Sequence, residues 1–248
     1  MPRSGSTSRL SSSVDTRPKA VRRHPPPYSL TPATTRRVPR FRARLLEWFA
    51  ANKRSFPWRE PGLSAYEILV AEILLQRTSA AAVARVYPAF VARYPSWIAL
   101  TRVSSDELRA MVTPLGLGQL RVEILQRVAQ IMVEHGDDAL ATRLDLEQIK
   151  GIGQYTASAV LAVAYGQPEP LLDVNMARVL ERYFGSRTRA DIRDDPYLHA
   201  LARRVVRGEN SLHVGWAILD LGALICKPAR PACPACPLRK TCLVGRHA

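Results

Sequence analysis

Four cysteines near the C-terminus form the most specific pattern in the sequence. They fall within 17 residues at the spacing C-x6-C-x2-C-x5-C, and they are Cys226, Cys233, Cys236 and Cys242. In an intracellular chain such a cluster indicates metal binding rather than disulfide pairing. Four thiolates suit zinc or an iron–sulfur cluster, and the spacing alone supports zinc at least as well.

Two acidic residues, Asp173 and Glu72, are candidates for a functional role. Asp173 begins a predicted helix over 174–183, so it is either an N-cap that accepts backbone N–H groups or a fixed anion in a site. Glu72 interrupts the apolar run from Ile68 to Leu75, which predicts a helix buried nearly all round. A carboxylate is costly there, and it is either paired with an arginine or functional.

The turn Gly151-Ile152-Gly153 lies between a short helical run ending at Lys150 and a predicted helix over 154–165. Two glycines allow two helices to cross closely and leave backbone N–H groups exposed at the start of the second helix. Such a helix start is suited to one phosphate. A tight helix–helix turn with no ligand is the alternative interpretation.

The elements that position these residues are predicted to be helices throughout. Apolar residues at helical spacing predict helices over 66–76, 83–94, 104–112, 120–135, 197–206 and 212–225, after an apolar stripe that begins at Phe41. Alternating strand patterns are almost absent, so the predicted fold class is all-α. Residues 1–39 are rich in Ser, Thr, Pro and Arg and are predicted to be a disordered basic tail.

The charge of the chain limits the choice of partner. A formal net charge of +15 and a sequence pI near 10.4 indicate a polyanion, with nucleic acid ahead of a membrane surface. The sequence contains no run of about 18 apolar residues, and its start lacks the apolar core of a secretory signal. We therefore expect no membrane association and a cytoplasmic, nucleoid-associated protein.

The stretch 144–180, with its flanks from about Phe56 to Cys242, resembles the endonuclease III superfamily of helix-hairpin-helix DNA glycosylases. The resemblance implies a two-lobed fold, with a helical barrel domain over 57–167 and a second helical domain made of 40–56 and 168–248. The cysteine arrangement is similar to the [4Fe–4S] loop of many members and favours that cluster over zinc. The implied partner is double-stranded DNA with a mismatched or damaged base, bound by a monomer.

The resemblance also implies roles for three residues. Asp173, in the segment LLDVN, matches the catalytic aspartate, which stabilises positive charge on the sugar. Glu72 matches the glutamate that faces the extruded base. Tyr155 stands where members that also cut the strand carry a nucleophilic lysine, so a monofunctional enzyme that uses water is predicted. A plain core aromatic is the alternative for Tyr155.

Two groups of residues are the expected DNA contacts. Gln76 and Arg77 end the Glu72 helix, where relatives place side chains that fill the gap left by a flipped base. Without the resemblance they would be a solvated helix end. The hairpin residues expected at the backbone are Lys150, Gly151, Gly153 and Gln154. Lys150 lies on the wrong side of the turn to replace the missing lysine nucleophile.

The choice of base is the finest prediction. The segments AEILLQRTSA, GIGQYTASAV and DVNMARVLERYFG are closer to Mig-type enzymes, which act on thymine or uracil opposite guanine. MutY-type adenine glycosylases usually have glycine after the aspartate, where Val174 stands, and usually continue into a second domain. They remain the alternative, on adenine opposite 8-oxoguanine or guanine. A non-catalytic metal-cluster DNA-binding protein is a second alternative, disfavoured because Glu72 and Asp173 are both present.

Overall fold

The computed structural model describes residues 28–136 and 142–247, and this part of the chain is helical without β-strands. The all-α prediction is confirmed. No helix in the described ranges is long and apolar enough to cross a membrane. The α-helices are α1 Pro32–Asn52, α2 Ala65–Leu75, α3 Ala80–Arg93, α4 Trp97–Arg102, α5 Ser105–Val112, α6 Gly118–His135, α7 Arg143–Gln148, α8 Gln154–Val163, α9 Val174–Phe184, α10 Pro196–Val206 and α11 Ser211–Leu224.

The helices pack around two apolar cores. The first core gathers side chains from Trp58 through Leu161, contributed by α2 to α8. The second gathers α1, α9, α10, α11 and Leu238. Helix α8 serves both, because Val160 and Leu161 belong to the first core and Ala159 and Ala162 to the second. The two cores support the domain division proposed from the sequence, which stays a prediction.

Short polar side chains set where the helices begin. Serines at positions 64, 79, 96 and 104 each accept a hydrogen bond from the backbone N–H three residues later. Ser64 and Glu67 form a complete capping box at the start of α2. That cap fixes the start of the most apolar helix of the first core, whose residues 68–74 are all buried. Helix α4 was not predicted, because only Trp97 and Leu100 of its six residues are buried.

The predicted tail boundary at residue 39 is wrong, because α1 begins at Pro32. Thr31 caps the helix and Pro32 occupies its first position, where a missing N–H costs nothing. Val38 is 4% exposed in the second core, and the Arg37 guanidinium donates to the carbonyls of Tyr183 and Thr241. These partners lie about 150 and 200 residues away, so the polar local sequence does not reveal them. Residues 1–27 lie outside the described residues.

Candidate active site

A cavity of about 410 Å³ opens where the two cores meet. Helices α2, α8, α9 and α11 and the loop before α2 line it. Five residues singled out from the sequence share this lining, and they are Glu72, Gln76, Arg77, Tyr155 and Asp173. Residues 100 positions apart in the chain therefore face one space, which is large enough for a nucleobase.

Asp173 is an N-cap and also lines the cavity. Its Oδ1 accepts the backbone N–H of Asn175 at 2.8 Å and of Met176 at 2.7 Å, so it is the N-cap of α9. Its Oδ2 accepts the Asn175 side-chain amide at 2.6 Å. Burial raises the pKa of Asp173, and these donors act in the opposite direction. The cap thus holds the carboxylate rigidly at the cavity wall.

Glu72 is a buried carboxyl group in the cavity wall. The side chain makes no hydrogen bond or ion pair with any residue in the described part of the chain, and the residue is 9% exposed. Burial raises the pKa of Glu72 to about 8, Arg59 lowers it and Asp173 raises it. The arginine pair considered from the sequence is therefore absent among the described residues. At neutral pH Glu72 is mainly a neutral acid that can donate one hydrogen bond.

Tyr155 lies in the first turn of α8 and lines the same cavity. Burial raises the pKa of its hydroxyl well above the ordinary value, and Glu72 and Asp173 raise it further. The phenol is therefore neutral and within electrostatic range of both carboxyl groups. None of the described residues that line the cavity is a lysine. The cavity consequently offers no amine in the described ranges for a Schiff base.

The cavity wall also contains an ion pair that was not predicted from the sequence. Arg59 donates to both oxygens of Asp220 at 3.0–3.1 Å, and Arg54 donates to Asp220 through its Nε at 2.7 Å. Asp220 is fully buried in α11. The signal was present, since Asp220 interrupts an apolar run as Glu72 does. Its arginine partners, more than 160 positions away, were not deducible locally.

The end of α2 is held by a buried arginine that was also not predicted from the sequence. Arg121 is 1% exposed and donates to the carbonyls of Ile73, Leu74 and Gln76 at 2.7–2.8 Å. A cation at a helix C-terminus satisfies carbonyls that have no partner within the helix. Next to this cap, Arg77 adopts a left-handed backbone with φ +55. That conformation costs a non-glycine residue about 1–3 kcal/mol and recurs at functional sites.

The two expected gap-filling residues have different surroundings. The Gln76 side-chain amide donates to the Gly151 carbonyl at 3.0 Å, so Gln76 ties the end of α2 to the hairpin. Arg77 is exposed, and its side chain has no hydrogen-bond partner in the described ranges. Of the two, Arg77 is the side chain available to a ligand at the cavity mouth.

The hairpin α7–turn–α8 has two glycines with different tasks. Gly151 has φ +106, and a Cβ there would lie 2.6 Å from the Ile124 side chain, so both conformation and packing require glycine. A Cβ at Gly153 would meet nothing within 4 Å, although Gly153 is the N-cap of α8. Lys150 is exposed and Gln154 begins α8. The open space above Gly153 leaves the helix start accessible to an anion.

The four cysteines lie in the loop after α11, and three of them pack against the second core. Burial raises the pKa of Cys236 to about 11, the backbone hydrogen bond with Leu238 lowers it, and Cys226, Cys242 and Cys233 raise it further. Arg182 donates to Cys226 Sγ at 3.4 Å and the Gly245 N–H donates to Cys242 Sγ at 3.3 Å. These donors suit thiolate charge, so the residues fit a tetrathiolate metal group.

The described residues do not form a closed site for a single metal ion. No group of three or more His, Cys, Asp or Glu side chains in the described ranges is arranged to hold one ion.

Two arginines of α9 hold the cysteine loop in place. Arg178 donates to the Cys226 carbonyl at 2.7 Å and to Asn175 Oδ1 at 2.8 Å, and Arg182 donates to Lys227 O at 2.8 Å. The loop is thereby joined to the helix that Asp173 caps.

The hairpin α7–turn–α8 thus lies beside a cavity whose lining includes Glu72, Tyr155 and Asp173. The family model described as HhH-GPD superfamily base excision DNA repair protein matches residues 70–198. The chain belongs to this superfamily. The matched range contains Glu72, Tyr155 and Asp173 and ends before the cysteines.

Individual relatives are similar over most of the chain. A thymine-DNA glycosylase of Aeropyrum pernix is 37% identical over 212 residues, which cover 84% of this chain and 95% of the relative. The solved structure of a thermostable thymine-DNA glycosylase superposes with a TM-score of 0.80 at 29% identity, covering 87% of this chain and all of that one. An adenine DNA glycosylase of Mycobacterium tuberculosis is 34% identical over 73% of this chain and 60% of the relative.

Proposed function

We propose that this protein is a monofunctional DNA glycosylase that extrudes thymine or uracil mispaired with guanine and hydrolyses its N-glycosidic bond. The observation that carries the proposal is the single cavity that unites Glu72, Tyr155 and Asp173. The thymine-DNA glycosylase of Aeropyrum pernix, similar over 84% of this chain, supports the choice of a pyrimidine.

Each cavity residue has a task in this reaction. The Asp173 carboxylate, fixed by three hydrogen bonds, stabilises the positive charge that develops on the sugar and orients the attacking water. Neutral Glu72 and the Tyr155 hydroxyl donate hydrogen bonds to the edge of the extruded base. Water is the nucleophile, since Tyr155 stands where a lysine would form a Schiff base.

DNA is held at two places in this proposal. The backbone N–H groups of Gly153 and Gln154 bind one phosphate at the start of α8, beside exposed Lys150 and the turn at Gly151. Arg77 enters the space left by the flipped base, and Gln76 fixes the end of its helix to the hairpin. The protein acts as a monomer on mismatched duplex at the nucleoid.

The four cysteines are proposed to hold a [4Fe–4S] cluster, with zinc as the alternative. When bound, the cluster orders a basic loop against the DNA backbone and takes no part in bond breaking. Purified protein should then be yellow-brown and contain iron. Cys236→Ser should lower DNA affinity and solubility before it lowers the rate of the bound complex. Colourless, zinc-loaded protein with full activity would contradict the cluster.

The test is an excision assay over a panel of mismatches, with heat or alkali to cut at abasic sites. We expect uracil opposite guanine to be released fastest and thymine opposite guanine next, because its methyl group makes it a poorer leaving group. The adenine DNA glycosylase relative makes adenine release the second candidate. Adenine release opposite guanine or 8-oxoguanine, without pyrimidine release, would replace the pyrimidine proposal. No abasic site from any mismatch would favour a non-catalytic DNA-binding protein.

A further inference from the structure

Arg59 is held in the cavity wall by hydrogen bonds and by two aromatic rings. It ends the short 3-10 turn Pro57–Arg59, and its side chain is 10% exposed. Three hydrogen bonds of 3.0–3.1 Å join it to fully buried Asp220. Its guanidinium carbon lies 5.2 Å from the ring centroids of both Phe56 and Trp216. These contacts orient the planar guanidinium before any ligand is bound.

The guanidinium retains donors for a bound molecule. An arginine has five N–H donors. The NH1 group donates to Asp220 and to the Arg54 carbonyl, and NH2 donates to Asp220. The Nε–H has no acceptor in the described part of the chain, and Glu72 in the same cavity forms no hydrogen bond with Arg59. Donor capacity and positive charge are therefore available inside a pocket shared with Tyr155 and Asp173.

Removal of a pyrimidine creates a charge that such a cation can meet. When the C1′–N1 bond breaks, both bonding electrons stay on N1, and the charge spreads to the carbonyl oxygens O2 and O4 of the base. Water oxygen bonds to C1′, one water proton remains on the new hydroxyl, and the other passes through the Asp173 carboxylate to solvent. The base anion takes up a proton at N1. Preorganised donors aimed at a developing anion lower the barrier to its formation.

We propose, resting on the function proposed above, that Arg59 is a catalytic residue that donates to O2 or O4 of the departing pyrimidine and stabilises its negative charge. Asp220 is a positioning residue, because it holds the guanidinium against the two rings. Glu72 and Tyr155 supply neutral donors to the same base, so Arg59 is the cation among these three cavity residues. The site thereby acts on the leaving group as well as on the sugar.

The experiment compares leaving groups in single-turnover excision opposite guanine. Uracil and 5-fluorouracil are close in size, but the fluorinated base is the more acidic leaving group and needs less stabilisation. Arg59→Gln should slow uracil release by about 10²–10³-fold, the cost typical of one lost transition-state donor. The loss on 5-fluorouracil should be at least about tenfold smaller. An equal loss on both bases would overturn the proposal.

Two matched variants separate chemistry from folding. Arg54→Gln also removes one partner of Asp220, and it should change the two rates by the same factor. Arg59→Gln leaves Arg54 paired with Asp220, so the buried carboxylate keeps a cation and the variant should fold, as thermal unfolding would check. A leaving-group effect of the same size in Arg54→Gln would also overturn the proposal. Wild-type protein that releases adenine and no pyrimidine would refute the proposed function itself.

Discussion

Asp173 is the N-cap of α9 and the proposed catalytic carboxylate, and one substitution can separate the two roles. In Asp173→Asn the amide oxygen can still accept the N–H groups of Asn175 and Met176, so α9 keeps its cap. The negative charge proposed to lie beside the sugar is lost. We expect mismatch binding to persist and excision to fall by about 10²–10⁴-fold in single-turnover assays.

The matched control for Asp173 is another capping aspartate. Asp195 caps α10, accepts N–H groups from Thr188, Arg189 and Leu198, and does not line the cavity. Asp195→Asn should lower stability and leave the rate of the bound complex near that of the wild type. Wild-type turnover in Asp173→Asn would assign Asp173 to capping alone.

The raised pKa of Glu72 predicts that stability and excision both depend on pH. Raising a carboxyl pKa from 4.5 to about 8 corresponds to about 5 kcal/mol, because the folded protein binds a proton that the unfolded chain has already released. This stability is present below pH 4.5 and is lost as the pH rises through about 8. Over the same upper range the neutral donor disappears, so excision should decline above about pH 8.

The test for Glu72 is Glu72→Gln, which keeps a hydrogen-bond donor but cannot ionise. Its unfolding free energy relative to the wild type should rise by several kcal/mol between pH 5 and pH 9 in chemical denaturation. The exposed residue Glu134 offers a control, since Glu134→Gln should show no such trend. A constant difference between Glu72→Gln and the wild type would mean that Glu72 ionises normally.

At the scale of elements, substitution by alanine should lower stability at Gly151 and DNA affinity at Gly153. Gly151→Ala places a methyl group 2.6 Å from Ile124 at φ +106. It should cost about 2–5 kcal/mol of stability from overpacking and backbone strain together. Gly153→Ala meets no neighbour, so its stability should change by about 1 kcal/mol or less. Its DNA affinity should fall, because the methyl group occupies the space proposed for the phosphate.

Unfolding curves and DNA titrations of both alanine variants give this comparison directly. Ile124→Ala should partly rescue Gly151→Ala, because it removes the side chain that the new methyl group meets. Unchanged DNA affinity in Gly153→Ala would show that no phosphate binds at the start of α8.

At the scale of the whole molecule, charge and the position of α1 predict the effect of truncation. Residues 1–27 contain six Lys or Arg and one Asp. If about five phosphates are contacted, the slope of log affinity against log salt should be about −4 to −5 for the full chain. Removal of residues 1–27 should make this slope less steep. The preferred mismatch should not change. Removal of residues 1–39 should in addition lower stability, because it deletes Thr31, Arg37 and Val38 from the capped start of α1.

Salt titrations of the two truncated proteins and the full chain give this comparison. Equal unfolding temperatures for both truncations would show that the first turns of α1 add nothing to the fold. A new base preference after removal of residues 1–27 would assign that segment a role beyond electrostatic attraction.

The sequence by itself determined what depends on local pattern and composition. Helical spacing of apolar residues predicted the all-α fold, and the excess of arginine predicted a polyanionic partner. Glu72 was a candidate because a carboxylate inside an apolar run is costly wherever that run packs. The turn at Gly151 was predicted because the conformations open to glycine are a property of the residue itself.

The tertiary structure alone decided which distant residues meet. Glu72, Tyr155 and Asp173 face one cavity because α2, α8 and α9 pack where two cores join, and no local pattern encodes that packing. The same holds for Arg59 with Asp220, and for Arg37, whose partners in α9 and the cysteine loop support the first turns of α1. Helix formation is local, whereas burial and ion pairing depend on contacts that only the folded chain brings together.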